Sequence, residues 1–118
     1  MTDYRKLKIW QMSVELSVKI YSITDTFPKK EMFSLTDQLR RAAVSIPSNI
    51  AEGSKRSSDK DFKHFIHISL GSCAEVQTQL FIALKLEYLT EKDFNELYNN
   101  IEDINSMLLA FIKKLSSV

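Results

Sequence analysis

The sequence is poor in the residues that staple, punctuate or charge a protein. It holds one cysteine, two glycines and two prolines in 118 residues. A single cysteine excludes an intramolecular disulfide, and Cys73 reads as a small core residue rather than a reactive thiol. So few glycines and prolines, with apolar residues at helical spacing, favour an all-α protein with short turns. There is no nucleophile–base pair, no glycine-rich phosphate loop and no accessible carboxylate pair, so the chain is expected to be non-enzymatic and to need no cofactor. Excess charge is lacking too. Sixteen Lys and Arg against fifteen Asp and Glu leave a net of +1, far from the basic balance of a generic nucleic-acid binder. No apolar run approaches membrane-spanning length, and the opening MTDYRKLKIWQ has no apolar signal core. The expected compartment is the cytoplasm, with no membrane partner. Residues 1–118 read as one domain, without repeats or low-complexity segments.

What is present is four amphipathic stretches. The first predicted helix runs from Tyr4 to Thr26 and is stopped by Phe27-Pro28, because the Pro28 ring disfavours helical geometry at Phe27. The second lies in FSLTDQLRRAAVSIPSNIAEG, with Ser34 as cap, Asp37 as its box partner and Phe33 as a staple. Pro47 falls inside it and is expected to kink it near Ala43 without ending it, and Gly53 suits a C-terminal cap. Ser58 caps the third helix, predicted to reach Glu87, with Gly71-Ser72 as a point of close backbone approach. Thr90 opens the fourth, which ends near Leu115. Short connections between four such helices predict an antiparallel up-down-up-down four-helix bundle.

The second helix is the most informative segment. Leu35, Leu39, Ala42, Ala43, Ile46, Ile50 and Gly53 share about a third of its circumference; Arg41, Ser45, Ser48 and Glu52 lie opposite, with Gln38 and Asn49 at the border. A face of short hydroxyls with one Arg and one Glu is not an ordinary solvated surface, and it suits contact with another protein surface. The first helix carries two apolar stripes. Leu7, Trp10, Val14, Val18 and Tyr21 form one; Ile9, Met12, Leu16, Ile20, Ile23 and Phe27 form the other. An isolated bundle uses one stripe per helix. Six large side chains left over would offer roughly 10 kcal/mol toward association before entropy costs. Homo-oligomerisation is therefore expected, with Ile9, Met12, Leu16, Ile20 and Ile23 as the interface.

Other candidate residues have plainer explanations. His64 and His67 are three apart, which suits one metal face, but no second ligand pair accompanies them, so no metal is expected. Arg40 and Arg41 can recognise phosphate or carboxylate through their guanidinium forks, or pair with Glu52, Glu75 or a neighbouring chain. Lys55-Arg56-Ser57-Ser58 is a short basic turn before a helix, followed by Lys60 and Lys63, with Asp59 and Asp61 opposing them. These six cations, Arg40, Arg41, Lys55, Arg56, Lys60 and Lys63, are the candidate contacts for RNA or a nucleoprotein partner. Asn49 and Glu52 read best as a polar network joining helices. Trp10, Phe62 and Phe65 read as packing residues rather than base-stacking platforms.

LKIWQMSVELSVKIY, FPKKEMFSLTDQLRRAAVSIPSNIAEG and DFKHFIHISLGSCAEVQTQL together resemble the bacterial four-helix-bundle proteins encoded in 23S rRNA intervening sequences. The chain also looks like the accessory proteins of diversity-generating retroelements. The resemblance spans nearly the whole sequence. It implies a small cytoplasmic bundle that assembles as a ring-shaped homopentamer; with no reaction centre in view, the expected role is an interaction scaffold. The accessory-protein likeness implies nucleic-acid binding beside a reverse transcriptase. The motif positions carry over as Gln38, Arg40, Arg41, Ala42, Ser45, Ile46, Asn49, Ile50, Ala51, Glu52 and Gly53, and they fit fold and assembly.

Overall fold

A computed structural model describes residues 3–115. A 3-10 turn at Tyr4–Lys6 precedes four helices: α1 (Lys8–Thr24), α2 (Leu35–Ser54), α3 (Asp59–Lys85) and α4 (Glu91–Leu115). A second 3-10 turn, Lys29–Glu31, lies between α1 and α2. Among the described residues there is no strand, and no helix is long and apolar enough to cross a membrane. The molecule measures 46 × 23 × 20 Å.

Named contacts fix the helix directions. Ser45 meets Ser72, while Gly53 further along α2 meets Phe62, so α2 and α3 run antiparallel. Phe62 packs edge-on against Phe111 and Phe81 against Phe94, which sets α3 and α4 antiparallel. Arg40 reaches Thr24 while Lys55 lies over Tyr4, and the same relation holds for α1 and α2. Lys19 and Glu96, 3.6 Å apart, link α1 to α4.

Local chemistry explains where the boundaries depart from expectation. α1 starts at Lys8 rather than Tyr4, because Asp3 accepts the Arg5 backbone N–H at 3.1 Å and closes a separate turn, after which Leu7 is extended. At α2, Ser34 makes no side-chain cap. Its hydroxyl instead donates to Glu31 Oε1 at 2.8 Å, and Phe33 is 90% exposed, so neither capping box nor staple forms. α2 runs unbroken through Pro47. Ser58 and Thr90 do cap, accepting from the backbone N–H of Asp61 and Asp93 at 3.1 Å each. α3 stops at Lys85 because Glu87 takes φ 64°. Glu87 then donates to Leu84 O at 3.0 Å and Tyr88 to Ala83 O at 2.9 Å, the pairing of a left-handed helix cap.

Neither glycine plays the role the sequence suggested. Gly53 is buried within α2 and caps nothing; a Cβ there would stand 2.8 Å from Phe62 Cδ1 and from Phe65 Cβ. Its missing side chain is what lets α3 lie against α2. Gly71, the expected point of close approach, has open space around its Cβ position.

The core corrects the reading of α1. Ile9, Leu16 and Ile20 are 4%, 2% and 0% exposed, packed with Leu39, Ile46, Ile101 and Ile104 inside the protomer. They are not a surface for a second copy, and Met12 and Ile23 beside them are half-buried against the same core. The deciding residues are hydroxyls. Ser13, Ser17 and Thr24 share the inward face and are buried because each donates to its own helix: Ser13 to Ile9 O, Ser17 to Ser13 O at 3.0 Å and Thr24 to Ile20 O at 2.7 Å. Satisfied in this way, small polar residues are cheap to bury and allow close helix approach. Of the other stripe, Val18 at 65% and Tyr21 at 46% exposure stay outside, while Leu7 and Trp10 pack partly against the core.

Candidate functional site

The α2 motif is a polar seam against α3. Ser45 Oγ lies 2.8 Å from Ser72 Oγ, and the Asn49 amide donates to Ser45 O at 2.8 Å and to Ser45 Oγ at 3.0 Å. One turn deeper, buried Ser69 donates to Ile46 O at 2.9 Å, the carbonyl just before Pro47. The small side chains of α2 thus carry a hydrogen-bonded ladder where two large apolar faces would hold the helices further apart. Glu52 pairs with Arg56 at 2.9 Å, on the outer side of the same helix. Gln38 is exposed. Sequence reasoning read Asn49 and Glu52 as the network pair; Asn49 joins the seam, but Glu52 pairs with Arg56 on its own helix, and the hydrogen-bonding roles of Ser69 and Ser72 were missed. Their signal was a serine pair three apart on a stripe otherwise filled by Phe62, Ile66, Cys73 and Val76.

The six candidate cations do not form one patch. Arg40 is a brace between α2 and the end of α1. It donates to Thr24 Oγ1 at 2.9 Å and Asp25 Oδ1 at 2.9 Å, and its guanidinium lies 4.6 Å from the Tyr21 ring centre. Arg41 pairs with Asp37 one turn away at 2.9 Å. With Tyr21, Val44, Ser45 and Ser48 they line a shallow cavity of about 520 Å³. Lys55, Arg56, Lys60 and Lys63 lie at the opposite end of α2, about 22 Å along its axis at 1.5 Å per residue. There Arg56 sits over the Phe65 ring at 4.7 Å, and Lys60 and Lys63 join His64, His67, Asp59 and Asp61 around an open cavity of about 840 Å³.

His64 and His67 are exposed, and among the described residues no three His, Cys, Asp or Glu side chains gather as a metal site. Cys73 is free and wholly buried, and burial, with Glu102 adding to it, pushes its thiol up to about 12. At neutral pH it is a protonated core side chain, without the thiolate that nucleophilic chemistry requires. Trp10 is half-buried against Tyr4 at 5.2 Å between ring centres, and Phe62 is buried against Phe111. At the other end of the molecule, the Glu31 carboxylate accepts from Ser34 Oγ at 2.8 Å and from Tyr88 Oη at 2.9 Å. These bonds hold its carboxyl below the usual range, and the same carboxylate raises the Tyr88 phenol.

Three comparisons set this geometry beside known proteins. The family model described as 23S rRNA-intervening sequence protein matches residues 5–110. A crystal structure of a protein of unknown function from the S23 ribosomal protein family of Bacteroides thetaiotaomicron superposes with a TM-score of 0.80 at 27% identity. The match covers 89% of this chain and 98% of that one. A search of curated proteins finds no match.

Proposed function

The chain belongs to the 23S rRNA-intervening sequence protein family, and from that footing we propose that it is a non-enzymatic, self-assembling interaction scaffold. Its helices, ordered up-down-up-down, form the building block, and a ring of five copies in a bacterial cytoplasm is the expected form. One observation carries this reading: large apolar side chains left in water after the core is complete. Phe33 is 90% exposed, Val18 65% and Met32 51%, with Phe81, Ile82, Leu86 and Leu109 each near half. Burial of such groups drives association. The interface expected on Ile9, Leu16 and Ile20 moves to these outward residues. Sedimentation across a hundredfold dilution tests the reading. A species several times 13.6 kDa that persists without ligand supports it, and a single-chain species at every concentration removes it.

A second reading, a nucleic-acid-binding accessory protein, is favoured by how the charge is distributed. Arg5, Lys6 and Lys8 enter one end of the bundle from the N-terminal turns, and Lys55 and Arg56 from the end of α2. Lys60 and Lys63 start α3 there, and Lys113 and Lys114 end α4. Nine of the sixteen cations thus stand at that end against four acids: Asp3, Glu52, Asp59 and Asp61. The remainder of the molecule holds seven cations and eleven acids. A near-neutral total conceals a basic pole, and assembly in a ring would gather several such poles on one rim. Retardation of RNA at about 50 mM salt that vanishes by about 200 mM supports this reading; no retardation at the lower salt dismisses it.

A further inference from the structure

Phe33 is the most exposed large apolar side chain of the described residues, and it does not sit on a loose loop. Glu31, two residues before it, is clamped by Ser34 and by Tyr88 across the α3–α4 turn, and Phe27 backs the Tyr88 ring at 5.4 Å between centres. The Lys29–Glu31 turn therefore presents Phe33, with Lys29 and Lys30 also exposed beside it, as a braced knuckle. At the same end of the bundle, α1 and α4 leave a groove of about 170 Å³. Ile23 and Leu97 line it, and Lys19, Ser22, Asp93 and Glu96 surround it. In its own chain Phe33 is in water, so it does not fill this groove.

We propose that the Phe33 knuckle of one copy seats in the α1–α4 groove of the next; this rests on the self-assembly reading and names its contact. The two surfaces complement each other in chemistry. The ring of Phe33 meets Ile23 and Leu97, and Lys29 and Lys30 face Asp93 and Glu96, two carboxylates against the single Lys19, which pairs with Glu96 at 3.6 Å. The contact joins two different surfaces, so it is head-to-tail, and a head-to-tail contact generates a ring when its rotation closes.

Two variants that each add one cysteine beside the contact, Met32→Cys and Ser22→Cys, test it when mixed under mild oxidation. Cys73 is buried and stays out of the reaction. The expected result is a disulfide-linked dimer in the mixture, at least fivefold above either variant alone. Phe33→Asp, made in parallel, is expected to keep its helix content by circular dichroism and to sediment as a single chain. A wild-type protein that is itself a single chain overturns the self-assembly reading, and this contact with it. A wild-type assembly that survives Phe33→Asp and gives no mixed dimer overturns the contact alone. Loss of a foreign protein from the Phe33→Asp variant, with its assembly unchanged, also overturns it, because the knuckle then serves another occupant.

Discussion

Gly53 and Phe62 approach so closely that a methyl group at position 53 would stand 2.8 Å from Phe62 Cδ1 and 3.2 Å from the Phe62 carbonyl oxygen. Phe65 Cβ, at 2.8 Å, closes the other side. The first of these atoms can swing away, but a Cβ and a backbone oxygen move only if the helices part. The substitution Gly53→Ala gains about 1 kcal/mol of helix propensity and incurs an overpacking cost of about 1–3 kcal/mol. Net destabilisation of about 1 kcal/mol, the middle of a range of about 0–2, is expected, read as a lower urea midpoint with an unchanged slope. A rise in the midpoint would show that α3 yields freely at this point.

Glu87 gives the opposite expectation. Its φ of 64° places a residue with a Cβ where glycine is preferred, at a strain of about 1–2 kcal/mol. Glu87→Gly relieves that strain while adding freedom to the unfolded chain, so a gain of about 0.5–1 kcal/mol is expected. Thermal melts of the two proteins decide it, and a lower midpoint in the variant would contradict the assignment of this cap.

Cys73 predicts a pH dependence. The folded chain holds its thiol proton up to about pH 12, against an ordinary value of 9.0. Below 9 both states are protonated and the thiol contributes its full share of stability. Above 9 the unfolded chain ionises first, so stability falls, at up to about 1.4 kcal/mol per pH unit, until the folded thiol ionises as well. The difference between wild type and Cys73→Ala, measured by denaturant titration from pH 7 to 11, is expected to be flat to about 9 and then to shrink. A constant difference would mean the thiol reaches solvent.

The two stripes of α1 separate folding from assembly. Ile20 has no exposure, and Ile20→Glu places an unpaired carboxylate in the core, a loss on the order of 3–5 kcal/mol. Val18 is 65% exposed, and Val18→Glu is expected to leave the folded protomer within about 0.5 kcal/mol. Circular dichroism melts distinguish them. Equal melting points would mean that α1 is turned the other way.

The helices were legible because the apolar period is strong, above all from Leu35 to Ile50 and from Phe94 to Leu108. The turn of α1 about its own axis was not. Both of its stripes are equally apolar, and the tie is broken by Ser13, Ser17 and Thr24, whose burial depends on hydrogen bonds back to their own helix. Ser34 reads as a cap from its position alone, yet Glu31 competes for its hydroxyl. The polar seam was half legible. Ser45 and Asn49 sit in the motif, but their partner Ser72 is on another helix, and no local pattern announces a pairing across 27 residues. The cations were legible as residues and illegible as a patch, since only the fold shows that Arg40 is spent on Thr24 and Asp25 while the N-terminal turns and the end of α4 meet Lys55 and Lys60.

Native mass spectrometry of the purified full chain, sprayed at low micromolar concentration from a volatile near-neutral buffer, tests most directly whether copies cover one another's apolar surface. The account predicts a closed assembly at an integral multiple of 13.6 kDa, with five copies the expected number and no ladder of open intermediates. A lone 13.6 kDa ion carrying the charge of a compact fold would contradict it.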